Sequence, residues 1–218
     1  MNELHYTLLS DGSSDQALIP LLKWLLRQQG VACAIQESWA DLRKVRRPPS
    51  ALVDRIRMSV DLFRCDLLFV HRDAESQPRT ARVAEVAAAL NQLPAPIVEE
   101  MPPVVCVVPV RMLEAWLLFD LTSLRSAADN PRGRMLISLP PLSRLEREPD
   151  PKATLYGLLR AASGYHGRRL KQFRPTQAVQ RLADLIGDYS PLRALPAFAA
   201  LEEDVARAVQ ANGRTTLP

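Results

Sequence analysis

Three acidic side chains follow two apolar segments of this 218-residue chain in a pattern that suits a divalent cation. Asp73 and Glu75 come directly after the apolar run 67–70, and Asp11 follows the apolar run 4–9. Side chains at alternate positions of an extended chain point the same way, so we expect Asp73 and Glu75 to lie side by side. Neighbouring carboxylates repel each other, and a proton or a cation between them relieves the repulsion. The alternative is that Asp73 caps the next helix and Glu75 is solvated.

Four short apolar segments alternate with amphipathic stretches along the first half of the chain. The predicted strands are 4–9, 31–35, 67–70 and 104–110, and the predicted helices between them are 15–29, 50–63 and 79–93. This alternation is typical of a parallel α/β sheet of about four strands flanked by helices. Because such a sheet collects the carboxyl ends of its strands at one edge, we expect Asp11, Asp73 and Glu75 to converge there.

Glu114 is the one charge between Arg111 and Asp120, in a segment whose apolar pattern predicts a helix. A buried carboxylate needs a cation or several hydrogen-bond donors as partners. Glu114 is expected either to contact a metal at the acidic edge, directly or through water, or to form a structural ion pair with Arg111 or Lys152.

Basic residues are concentrated in two segments. Residues 165–173 carry Arg168, Arg169 and Lys171 between two aromatic residues, and together with Lys152 they are candidates to contact a nucleic-acid backbone. Residues 41–57 carry six further arginines and lysines around a pair of prolines. That second segment is either a phosphate-facing surface or a solvated loop and helix face.

The bulk composition is that of an ordinary globular protein, with 47% hydrophobic and 24% charged residues and a net charge of +4. No apolar run is long enough to span a bilayer, and the first residues lack the basic and apolar regions of a secretory signal. The three cysteines form no Cys-x-x-Cys pair and are expected to be free thiols. We therefore expect a cytoplasmic protein without a membrane partner. No Gly-x-x-x-x-Gly-Lys loop is present, which excludes a P-loop NTPase.

The second half of the chain has a different pattern. Residues 122–151 are rich in proline, arginine and serine and lack clear periodicity, which favours an irregular connection. Short helices are predicted at 153–162, 175–186 and 196–209. The chain is thus expected to comprise an α/β domain at 1–120 and a helical extension packed on it at 121–218.

The acidic segments resemble the two motifs of the Toprim fold, the catalytic module of topoisomerases, primases, OLD-family nucleases and small ribonucleases. Ser-Asp11-Gly-Ser-Ser-Asp15 stands where that family has Glu-Gly after its first strand, and Asp73-Ala-Glu75 stands where it has Asp-x-Asp after its third. Val-Pro-Val-Arg-Met-Leu-Glu114-Ala-Trp-Leu-Leu-Phe-Asp and Asp-Pro-Lys152 are similar to small stand-alone Toprim proteins of the DUF4276 type. Those proteins are often described as partners of ATPases in phage-defence loci.

The resemblance implies a nuclease that hydrolyses phosphodiester bonds of DNA or RNA with Mg²⁺ or Mn²⁺. Asp11, Asp73 and Glu75 would be its catalytic and metal-binding residues, with Glu114 as a further metal ligand, and Asp11 is alternatively a general acid or base. Asp11 is one methylene shorter than the family's Glu, and Glu75 is one longer than its second Asp. The alternative function is a catalytically silent Toprim-like subunit that serves an AAA- or ABC-type ATPase.

Overall fold

A computed structural model describes residues 3–211, whose four strands form one all-parallel sheet. The strands are β1 (Glu3–Leu9), β2 (Ala34–Trp39), β3 (Leu67–His71) and β4 (Val104–Val107). Their spatial order is β2-β1-β3-β4, so β1 and β3 are the central pair. The α/β class and the four-stranded parallel sheet predicted from the sequence are confirmed.

Helices flank this sheet and make up most of the second half of the chain. The α-helices are α1 (Leu18–Gln28), α2 (Leu52–Leu62), α3 (Arg79–Leu90), α4 (Ala95–Glu100), α5 (Leu121–Ala127), α6 (Pro151–Ser163), α7 (Gly167–Gln172), α8 (Pro175–Leu185) and α9 (Pro196–Ala211). Short 3-10 helices lie at Ser13–Ala17, Leu42–Lys44, Leu113–Leu117, Leu142–Arg147 and Ser190–Ala194.

The central strands are buried on both faces, which explains their uninterrupted apolar sequences. In β3, Leu67 and Phe69 face one hydrophobic core, and Leu68 and Val70 face the other. The second core lies under α2 and α3. The first, larger core contains α1 together with the helices of the C-terminal half.

The C-terminal helices complete the larger core of the sheet. The rings of Trp116 and Phe198 meet edge to face with centroids 5.5 Å apart, and those of Trp24 in α1 and Tyr189 lie 5.9 Å apart. Such pairs add about 0.5–1.5 kcal/mol each beyond their buried area. The predicted extension therefore shares its core with α1 and the sheet as far as Ala211, and its last part, 212–218, lies outside the described residues.

Several predicted boundaries are wrong for identifiable physical reasons. β2 was expected at 31–35 but begins at Ala34, because the chain turns at Gly30 (φ 78°) and needs three more residues to reach the sheet. As an edge strand it has one face towards solvent and lacks a long apolar run. α4 was not predicted, yet its Pro96 occupies the first turn, where proline needs no hydrogen-bond donor.

The region 111–151 also differs from its prediction. The helix expected over 111–120 is a 3-10 helix, Leu113–Leu117, because Arg111 adopts a left-handed conformation (φ 62°) that an α-helix cannot contain. The segment 122–151, expected to be irregular, contains most of α5 and the 3-10 helix Leu142–Arg147. Asp120 caps α5 by accepting hydrogen bonds from two backbone N–H groups. Between residues 3 and 211, no helix combines the length and the apolarity needed to cross a bilayer.

Candidate functional site

A cleft of about 340 Å³ lies at the carboxyl edge of the sheet, between the loops that follow β1 and β3. β1 lies between β2 and β3 in the sheet. The chain that leaves β1 crosses to β2 on one side, and the chain that leaves β2 crosses back to β3 on the other side. Open α/β sheets bind ligands at such a switch point. The cleft is lined by Asp11, Gly12, Ser14, Asp15, His71, Arg72, Asp73, Glu75 and Arg82. The structure thus brings Asp11, Asp73 and Glu75 to one cleft.

The loop after β1 is folded around the buried carboxylate of Asp15. The Gly12 N–H donates to Asp15 Oδ2 at 2.9 Å, and the Ser14 hydroxyl donates to Oδ1 at 3.1 Å. These bonds hold Asp15 inside the protein, with 6% of its surface exposed. Asp11, four residues earlier, points outward with more than half of its side chain exposed. Two acids of one short loop therefore have different environments.

The loop after β3 remains paired with the chain beyond β4. Ala74 N–H donates to Pro109 O at 3.0 Å, and Glu75 N–H donates to Arg111 O at 2.9 Å. Glu75 (φ 54°) and Arg111 (φ 62°) are both left-handed, a conformation that costs a non-glycine residue about 1–2 kcal/mol. Extended geometry thus ends at Ala74, and the expectation of Asp73 and Glu75 side by side on an extended chain is wrong.

His71 lies between the carboxylates of Asp15 and Asp73, below the floor of the cleft. Its Nδ1 is 3.4 Å from Asp15 Oδ2 and its Nε2 is 3.2 Å from Asp73 Oδ1. Both contacts are ion pairs when His71 is protonated. Burial by itself lowers the pKa of His71, but the two carboxylates outweigh burial and raise the pKa to about 9. At neutral pH, His71 is therefore a buried cation that binds two acids.

We expect the metal-free protein to lose stability as the pH rises from about 6.5 to about 9. His71 holds its proton up to about pH 9 when folded, whereas its unperturbed pKa is 6.5. Because the folded pKa is the higher one, the ion pairs contribute fully to the free energy of unfolding below pH 6.5 and are lost as the pH passes through 9. Urea titrations in EDTA across this range measure the effect, and His71→Leu should remove that part of the slope. A parent slope identical to that of the variant would contradict the assignment.

A chain of ion pairs with alternating sign crosses the mouth of the cleft. Its members, in spatial order, are Arg55, Asp11, Arg72, Glu85, Arg82 and Glu75. Arg72 bridges Asp11 at 3.0 Å and Glu85 at 2.9 Å, and Arg82 bridges Glu85 at 3.1 Å and Glu75 at 3.4 Å. The carboxylates of Asp11 and Glu75 are thus neutralised by guanidinium groups. A phosphate entering the cleft competes for the same guanidinium groups.

Glu114 is buried behind the cleft, where Lys152 Nζ lies 3.8 Å from its carboxylate. Burial raises the pKa of the Glu114 carboxyl, and repulsion from Asp73 and Asp15 acts in the same direction. The ion pair with Lys152 was one of the two alternatives that the sequence left open. Lys152 also lies 6.0 Å from the Tyr156 ring centroid, so it packs against the protein.

The basic segment around α7 borders a second cleft, of about 500 Å³. Arg169 lines this cleft, while Arg168 and Lys171 lie exposed on the same short helix. Tyr165 and Phe173 pack against each other with ring centroids 6.2 Å apart. α8 joins this cleft to the acidic one, since Gln180 donates to the carbonyl oxygens of Ser13 and Ser14.

Carboxylates suit a hard divalent cation, and four of them line the acidic cleft: Asp11, Asp15, Asp73 and Glu75. In their present arrangement, no three His, Cys, Asp or Glu side chains within residues 3–211 are placed to hold a metal ion together. The geometric reason at this cleft is visible in the ion pairs, because arginines engage Asp11 and Glu75, and His71 engages Asp73. For a cation to bind here, the carboxylates of Asp11 and Glu75 must release their arginine partners and contact the metal instead.

Sequence reasoning missed the cationic half of this site. Arg55, Arg72 and Arg82 were not singled out as site residues, and the segment 41–57 that contains Arg55 was expected to be either a phosphate-facing surface or a solvated loop and helix face. Asp15 was noted within a motif but was not predicted to be a site residue. The available signal was the repetition of acids at both ends of Asp11-Gly-Ser-Ser-Asp15.

Comparisons with protein-family models, curated proteins and solved structures returned no match.

Proposed function

We propose that this protein is a Toprim-like, metal-dependent nuclease that hydrolyses phosphodiester bonds in the acidic cleft. The observation that carries the proposal is the placement of Asp11, Asp73 and Glu75 in one cleft at the switch point of a parallel sheet. A carboxylate cluster at this position suits a Mg²⁺ or Mn²⁺ ion, and the flanking arginines suit a phosphate. The carboxylates and two of the arginines, Arg72 and Arg82, line the same cleft, which supports the proposal of a phosphodiesterase site.

In this proposal, the acidic side chains bind the cation and the arginines bind the phosphate. Asp11, Asp73 and Glu75 would hold the metal, which when bound supplies an activated water and neutralises charge on the phosphate. Arg55, Arg72 and Arg82 would bind phosphate oxygens, which match the forked donors of guanidinium.

His71 has a positioning role in this scheme. Both of its ring nitrogens face carboxylates and the residue is buried, so neither nitrogen is placed to take a proton from an attacking water. Its ion pairs instead fix the orientation of the Asp15 and Asp73 carboxylates. Leu113 N–H adds a second constraint by donating to Asp73 Oδ1 at 3.1 Å.

The direct test is incubation of the purified protein with linear and circular duplex DNA, single-stranded DNA and RNA, each with Mn²⁺ or with EDTA. We expect cleavage of at least one substrate in Mn²⁺ and none in EDTA. Parallel melting curves should show stabilisation by Mn²⁺, since a ligand that binds only the folded state raises the melting temperature. A protein that neither melts higher with metal nor cleaves any substrate, alone or with proteins encoded nearby, would contradict the nuclease proposal.

A second candidate function, a catalytically silent subunit of an ATPase complex, is favoured by two observations. The first is that Asp11 and Glu75 are already neutralised by arginines. The second is the exposed apolar pair Met135 and Leu136, of which Leu136 is completely exposed. Exposed apolar surface of this kind often marks a contact with another protein. The silent subunit would bind its ATPase through 135–136 and would show no metal-dependent cleavage.

A further inference from the structure

A smaller cavity, distinct from the two clefts described above, adjoins the acidic cleft, and Asp11 lines both this cavity and the acidic cleft. This cavity has a volume of about 250 Å³. Its walls come from the end of β1, the end of β2 and the start of α2, and they include Trp39, Arg43, Pro48, Pro49 and Arg55. We call it the Trp39 pocket. Arg55 lines the Trp39 pocket, donates to Ser10 O at 2.9 Å and forms an ion pair with Asp11, which lines both cavities.

The indole of Trp39 is held in a fixed orientation at this pocket. Its Nε1–H donates to Ser10 Oγ at 2.9 Å, so the polar group of the ring is satisfied inside the protein. The guanidinium of Arg43 lies 5.0 Å from the ring centroid and is itself bound by both oxygens of Asp41. The partly buried ring is therefore held rigidly with a cation stacked on it, and an aromatic ring beside an arginine is a combination on which nucleobases stack in proteins.

The size of the pocket and the positive charge of the loop beside it point to one unit of a longer ligand. Its volume is below the roughly 300–1,000 Å³ of clefts that hold a whole small molecule. The loop beside it carries Arg46 and Arg47, which are exposed and form no ion pair within residues 3–211. A chain of phosphates can thus run along the arginines while one base enters the pocket.

We propose that the Trp39 pocket binds an unpaired nucleobase of a single-stranded nucleic acid whose neighbouring phosphate lies in the acidic cleft. The proposal rests on the nuclease function proposed above and adds its substrate class. A base inside a duplex is stacked and paired and cannot enter a lateral pocket without being extruded. The pocket therefore makes single strands, or frayed ends, the preferred ligand.

The test measures binding in EDTA, so that no cleavage occurs, by fluorescence anisotropy. The probes are a labelled oligothymidylate, an abasic strand of equal length and charge, and a duplex of equal length. We expect the parent to bind oligothymidylate about 5- to 150-fold more tightly than the abasic strand, the range that one base–aromatic stack supplies. Trp39→Leu should bind both strands alike. Trp39→Phe, which loses the same hydrogen bond to Ser10 but keeps a ring, should retain most of the preference.

Tyr165→Leu is the matched comparison, because it removes one of the two aromatic rings of the other basic cleft. It should keep the preference of the parent for bases over abasic strand. If Tyr165→Leu lost that preference and Trp39→Leu kept it, the base would stack in the cleft lined by Tyr165, and the proposal would be overturned. Equal binding of all probes by the parent, or a preference for duplex, would overturn the pocket and leave the nuclease proposal standing. Absence of binding to every probe would overturn the pocket, and the nuclease proposal is then decided separately by the cleavage assay in Mn²⁺ described above.

Discussion

Asp73→Asn is expected to lower Mn²⁺-dependent cleavage by about 100-fold or more while leaving the fold intact. Asn keeps an oxygen that can accept the hydrogen bond from Leu113 N–H, so the loop after β3 should retain its conformation. What Asn removes is the charge that a divalent cation needs. The measurements are initial cleavage rates and melting curves, each with and without Mn²⁺.

Asp61→Asn is the control for this experiment, because it makes the same chemical change at the opposite edge of the sheet. Asp61 lies exposed at the end of α2, with a long ion pair of 3.9 Å to Arg57. The Asp61→Asn variant should cleave substrate at the rate of the parent and melt at the same temperature. If Asp73→Asn and Asp73→Ala both cleave as fast as the parent and show the same stabilisation by Mn²⁺, then Asp73 binds no metal. The nuclease hypothesis would then lose its central residue.

The second large effect concerns stability, since His71→Leu is expected to destabilise the metal-free protein by about 3–5 kcal/mol near neutral pH. The substitution leaves Asp15 buried and charged without its cation, and desolvation of an unpaired charge is costly. Adding Asp15→Asn should recover much of this loss, because the double variant no longer buries that unpaired carboxylate. Urea unfolding of the parent, the two single variants and the double variant measures the coupling between the residues.

His166→Leu provides the comparison for a histidine that carries no buried charge. His166 is exposed at the start of α7, and its replacement should change stability by no more than about 0.5 kcal/mol. Additive effects of His71→Leu and Asp15→Asn would show that the two side chains do not form an ion pair in solution.

The features that the sequence predicted correctly depend on local patterns. The run 67–70 is apolar because both faces of β3 are buried, and Asp73, which follows it, lies at the sheet edge as a consequence of parallel topology. The run 104–110 was also predicted as a strand, and β4 covers its first four residues, Val104–Val107. The edge strand β2 lacks such a run, and its position was wrong. The left-handed conformation of Glu75 depends on a hydrogen bond to Arg111, 36 positions away, which no local pattern encodes.

The arginines of the site were missed for a similar reason. Arg55 is 44 residues from Asp11 in the chain, and Arg72 is 61 residues from it. A basic residue in a basic segment predicts charge but not its partner. Only the pairing of β1 with β3 brings Arg72 to Asp11, and the sequence alone did not give the order of the strands.

The pairing of β1 with β3 has a consequence for the kinetics of folding. Their contacts join residues 61 apart, so the intervening chain must close a long loop before this central pair forms. Contacts of such separation slow folding, and they form in the same event that brings Asp15 to His71. We therefore expect the cleft to assemble late and as a unit. A nascent chain that ends before β3 carries Asp11 and Asp15 but has neither His71 nor Asp73 beside them, so partial synthesis yields no partial site.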